Sequence, residues 1–136
     1  MYGVDLGLKT EKFYEFDKYV KEISGLQMKQ NKGIFGEGIF NIESGIVTAW
    51  YANVRDEQPL ELSPYLPELI GHKDVGIVLG KHSGLPSVDV WLEKVDVEAD
   101  DEQKNTILAM IKEKAYEKAA NLTKEEFVEI VNKVVK

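Results

Sequence analysis

The stretch Ile77-Val78-Leu79-Gly80-Lys81-His82-Ser83-Gly84 is an apolar run that ends in a turn bounded by glycines. A β-branched apolar run bounded by glycine reads as a buried strand delivering a tight, exposed turn. Glycine permits backbone angles that other residues avoid, while Lys81, His82 and Ser83 offer a cation, a titratable ring and a hydroxyl in succession. A turn so equipped suits an anion. It serves equally as a plain strand-to-helix connection with solvated polar residues.

Downstream, Pro86 suits a first helical turn, and Val88, Trp91, Leu92 and Val95 fall on one helical face. A helix beginning here would bring its positive dipole end to an anion beside Lys81, His82 and Ser83. Lys81 and Ser83 serve equally to cap the helix and fix the turn. The acidic run Glu98 to Glu102 reads as the solvated start of the next helix, with Ile107, Leu108, Ile111, Ala115 and Ala119 facing inward. Thr123 and Glu126 then form a Thr-x-x-Glu capping box ahead of Phe127, Ile130, Val131 and Val134.

Upstream, Thr10 is placed to cap a helix whose Phe13, Phe16, Val20 and Ile23 recur at helical spacing until Gly25 stops it. That aromatic face reads as core or interface packing. Between Gly33 and Val54 the small and apolar residues suggest a bent, buried strand-helix unit in which Glu43 and Ser44, flanked by Ile42 and Ile46, require polar partners. The expected fold is α+β, mainly α: a glycine-rich strand-helix unit over 1–84 and a three-helix unit over 85–136.

A chain of 136 residues makes one modest domain, burying about two thirds of its unfolded surface. Its net charge of −7, from 24 acidic and 17 basic residues, disfavours nucleic acid and anionic membrane as partners. With no cysteine it has neither disulfides nor thiolate chemistry. It lacks the roughly twenty-residue apolar run of a membrane span, and the start of the chain, with Asp5, does not read as a secretory signal. A cytoplasmic location is expected.

Three further segments give the turn its company: Gly36-Glu37-Gly38, then Phe40-Asn41-Ile42-Glu43-Ser44-Gly45-Ile46-Val47, then Tyr65-Leu66-Pro67 leading to Gly71. In this order, with Leu79-Gly80-Lys81-His82-Ser83-Gly84, they resemble the region after the catalytic barrel in 2-isopropylmalate, homocitrate and citramalate synthases, relatives of the hydroxymethylglutaryl-CoA lyases. The resemblance runs from about Thr10 to the end.

It implies a metal-dependent (β/α)8 barrel that condenses an acyl-CoA with a 2-oxo acid, covered by a segment like this one. The only histidines are His72 and His82, so the His-x-His pair of that barrel is missing, and the length falls short of the roughly 250 residues a barrel needs. The chain is therefore expected to bind no metal or cofactor. It is read as the small subunit of a split enzyme, or as an excised C-terminal region. The divalent metal and acyl-CoA are expected on a TIM-barrel catalytic partner, in a hetero-oligomer with domain exchange across the interface.

By the same resemblance, Tyr65 is the candidate catalytic group, and Asn41, Glu43, Ser44, Lys81, His82 and Ser83 are candidate substrate contacts. Packing beneath the loop is an equal alternative for Tyr65. Two motif histidines are replaced, by Asn41 and Val47, neither of which moves a proton. Trp50, Tyr51 and Arg55 are candidates for the same cleft or for an interface. A carbon-carbon lyase subunit and a noncatalytic binding or regulatory module are the alternatives.

Overall fold

The structure is a computed structural model, and residues 7–135 are described. The fold is α+β and mainly helical. Helix α1 spans Phe13–Ser24, strand β1 Asn41–Ile42, helix α2 Gly45–Val54 and strand β2 Gly76–Ile77. Helices α3 (Leu85–Lys94), α4 (Asp101–Lys118) and α5 (Lys124–Val134) complete it. The two strands pair in parallel, and Val78 N–H continues the ladder by donating to the Ile42 carbonyl at 3.0 Å. None of the described helices is long and apolar enough to cross a membrane.

Contacts group the chain into two compact units that do not follow the division near residue 84. One comprises the residues up to Phe40 with Pro59–Gly76, and the other Asn41–Gln58 with Ile77–Lys136. The reason is local: α2 packs on α3, so the Glu43 loop and its helix group with the C-terminal helices.

In the first unit, Thr10 does not cap α1. It lies in a 3-10 turn, Thr10–Lys12, and neither that turn nor α1 receives a side-chain cap. Gly25 ends α1 with φ of 68°, the left-handed geometry glycine adopts at little cost. The buried residue of α1 is Asp17, 3% exposed and ion-paired to Lys21 at 2.6 Å, while Phe16 and Ile23 stand 61% and 66% exposed. His72 is a packed histidine. Its ring lies 4.0 Å from Tyr14 and 5.2 Å from Phe40 by centroid, with Nε2 3.2 Å from the Ile34 carbonyl oxygen.

In the second unit, Leu79, Val88, Leu92, Ile107, Ile111, Ala115, Leu122, Phe127, Ile130 and Val131 make one buried core. Trp91 stacks edge-on to Phe127 and donates its indole N–H to the Ile77 carbonyl at 2.8 Å, tying α3 to β2. Leu122 N–H donates to the Leu79 carbonyl at 2.8 Å, fixing the α4–α5 connection against the end of the strand. Ala119 does not face inward as expected. It ends α4 in the left-handed region, with φ of 52°, and is exposed.

Candidate functional site

Two loops of the second unit build the site. Glu43-Ser44 enters α2, and Gly80 to Gly84 leads from β2 into α3. Glu43 Oε1 accepts from His82 N–H at 2.9 Å, and Gly45 N–H donates to the His82 carbonyl at 3.2 Å. The backbone of His82 is thus held on both sides while the residue stays exposed. This contact supplies the partner that Glu43 requires.

Glycine is imposed by close approach. A Cβ on Gly45 would lie 2.5 Å from Gly84 Cα and 2.7 Å from Gly84 N. A Cβ on Gly80 would meet Glu43 Oε1 and lie 2.5 Å from Asn121 Oδ1. Beneath the loops, Thr48 and Ser87 join α2 to α3. Their hydroxyl oxygens are 3.2 Å apart, and Thr48 Oγ1 donates to the Ser44 carbonyl at 3.0 Å. Two buried hydroxyls that satisfy one another keep the helices close without an unpaired polar group.

Ser83 is 2% exposed, and its hydroxyl accepts from Gly80 N–H at 2.9 Å, so it fixes the turn. It does not cap α3, and neither does Lys81: the N-cap is Gly84, with no side-chain bond, and Pro86 sits in the first turn.

The lock sorts the remaining candidates. Ser44, His82 and Ser83 line an open cleft of about 750 Å³ with Ile46, Ala49, Leu85 and Pro86. Glu43 and Lys81 line a different cleft, about 320 Å³, with Tyr116, Asn121 and three alanines of the α4 terminus. Asn41 is exposed at the start of β1. Tyr65 belongs to the first unit, its ring edge-on to Phe40 with centroids 5.9 Å apart. Arg55 follows α2 and pairs with Asp56 at 3.6 Å, and neither it, Trp50 nor Tyr51 lines the Ser44 cleft.

Sequence reasoning had not assigned Tyr116 or Asn121 to a site. Asn121's only sequence signal is a polar residue just past the end of a helix, which ordinarily marks a turn, and Tyr116 reads as one more residue of the last turn of α4. No group of three or more His, Cys, Asp or Glu side chains among the described residues could hold a metal ion.

Fold and loops define a helical module that presents two clefts from one glycine-locked turn. The family model described as homocitrate synthase post-HMGL domain-like matches residues 34–119, and the chain belongs to that family. It is 40% identical over 136 residues to homocitrate synthase AksA of Methanocaldococcus jannaschii, covering 100% of this chain and 32% of the relative. It is 41% identical over 113 residues to the putative (R)-citramalate synthase CimA of Archaeoglobus fulgidus, covering 83% of this chain and 22% of the relative. A probable 2-isopropylmalate synthase of the same organism is 35% identical over 111 residues, covering 82% of this chain and 22% of the relative. The chain therefore spans a third or less of the length of these relatives.

Proposed function

We propose that this chain supplies the active-site-covering part of an acyltransferase that condenses an acyl-CoA with a 2-oxo acid. A metal-dependent (β/α)8 barrel would complete it, as the partner subunit of a split enzyme. The observation that carries the reading is the alignment of the entire chain with about a third of a homocitrate synthase. The described residues do not fit a divalent metal, so its ligands would come from the barrel, and its chemistry would be polarisation of the substrate oxygen.

This chain's contribution is positional. The 750 Å³ cleft combines apolar Ile46, Ala49, Leu85 and Pro86 with the polar Ser44 and His82, chemistry suited to an organic acid beside an acyl group. Ser83 and Glu43 hold that surface in shape from behind. A rigid cover excludes water and orients the reacting groups, which lowers the barrier without new covalent chemistry. Tyr65 is the catalytic candidate, its hydroxyl able to give or take a hydrogen bond at the substrate. Val47 and Asn41 offer no proton transfer, the observation that favours a second reading as a noncatalytic binding module.

Replacing Tyr65 by Phe in the assembled complex tests the catalytic reading. Turnover should fall about tenfold or more, equivalent to about 1.4 kcal/mol in the barrier, with assembly unchanged by size-exclusion chromatography. Unchanged turnover would leave Tyr65 as a packing partner of Phe40 and support the binding module.

A further inference from the structure

We propose that the buried His72 is a positioning residue for Tyr65: it fixes where the phenol stands by holding Phe40, the ring against which Tyr65 packs. All residues of this link lie in the first unit. Its effect on turnover rests on Tyr65 being the catalytic group, as proposed above.

His72 is 7% exposed, too buried to meet a substrate. A carbonyl oxygen only accepts, so the Nε2 atom 3.2 Å from the Ile34 oxygen carries a proton and donates it. This bond sets the orientation of the imidazole, which lies against Tyr14 of α1 at an interplanar angle of 32° and meets Phe40 edge-on at 70°. Its own backbone N–H donates to the Pro67 carbonyl at 3.0 Å and closes the 3-10 turn Pro67–Ile70. Four separate segments thus meet on one side chain.

Ile34 explains why a polar ring serves here. Its φ is 71°, a region that β-branched residues rarely enter. Such a conformation persists only when its surroundings hold it, and the Nε2–H bond holds the Ile34 carbonyl.

Tyr65 inherits this order through Phe40. The Phe40 ring, 8% exposed, meets His72 on one contact and Tyr65 on another, the second at 88° with centroids 5.9 Å apart. Edge-on aromatic pairs depend on the tilt of both rings, so a tilt of Phe40 is passed to Tyr65. The backbone on either side is already pinned: the Phe40 carbonyl accepts from Gly76 N–H at 3.2 Å, and the Leu66 carbonyl from Leu69 N–H at 3.1 Å. What remains free is the tilt of the Phe40 ring, and His72 limits it.

The first measurement is aromatic NMR on the isotope-labelled full chain. His72→Leu, which removes donor and ring but stays apolar, should abolish the cross-peaks between the Phe40 and Tyr65 rings. Those between Phe13 and Phe35, a ring pair 6.2 Å apart in the same unit, should remain. The second measurement is turnover of the assembled complex. His72→Leu and Phe40→Leu should each lower kcat about tenfold and change KM by less than about twofold, the pattern of an interaction lost from the transition state. On a Tyr65→Phe background neither should lower kcat further, because no hydroxyl is left to misplace.

Retained Phe40–Tyr65 cross-peaks in His72→Leu overturn the proposal. So does an unchanged kcat where Tyr65→Phe lowers it, or a loss repeated in full on the Tyr65→Phe background, the mark of general unfolding. Unchanged turnover in Tyr65→Phe is a separate result: it removes the catalytic reading of Tyr65, while the cross-peaks still decide whether His72 holds its ring.

Discussion

At the residue scale, the turn rests on glycines that face different obstacles. Gly45 is opposed by the backbone of Gly84, which cannot move without opening the loop pair, whereas Gly80 is opposed by the ends of the Glu43 and Asn121 side chains. Gly45→Ala should therefore cost about 3 kcal/mol, and Gly80→Ala about 1 kcal/mol, as overpacking relieved by backbone and by side-chain movement respectively. Urea denaturation of the two variants measures this, and equal losses would contradict the lock as described. The glycines were legible in the sequence because the motif places them. The oxygen of Asn121 was not, since only the folded α4–α5 connection brings it to Gly80.

At the scale of the element, both C-terminal helices start in full capping boxes, Asp100 with Gln103 and Thr123 with Glu126. Thr123→Ala should cost about 1 kcal/mol in thermal or urea unfolding. Lys118, through its hydrogen bond, and the Thr123 backbone N–H hold the Glu126 carboxyl below its ordinary value of 4.5. Its lowered value in the folded state means that its stabilising contribution is fully present above pH 4.5 and is lost as pH falls through the lower folded value. Urea midpoints should fall as pH is lowered through this window, and Glu126→Gln should flatten that dependence.

Helical periodicity located α3, α4 and α5 and their buried faces, because these helices bury their apolar side within the unit they belong to. It misjudged α1. Spacing defines a stripe but not what covers it, and in α1 the buried position goes to the Asp17–Lys21 ion pair while Phe16 and Ile23 face outward. Phe16→Ala should accordingly cost about 1 kcal/mol or less, against about 3–5 kcal/mol for the fully buried Phe127→Ala, by the same unfolding measurement.

For the whole molecule, the mainly helical α+β class followed from the sequence, while the composition of the units did not. A division in chain order near Gly84 misses that α2 packs on α3, an association decided by Thr48, Ser87 and the close Gly45–Gly84 approach rather than by any local pattern. The sequence names the candidate residues and leaves their arrangement illegible. Glu43 and Lys81 turn to one cleft, Ser44 and His82 to another, and Ser83 is consumed by the turn.

The central claim is that this module completes a barrel enzyme of the homocitrate synthase kind. Its most direct test is CoA release by the complex purified from source cells on the tagged chain. The account predicts release from an acyl-CoA that depends on a 2-oxo acid and is abolished by chelating divalent metal, with a barrel protein present in the complex. A chain that purifies alone, or a complex whose CoA release is indifferent to every 2-oxo acid supplied, would contradict it.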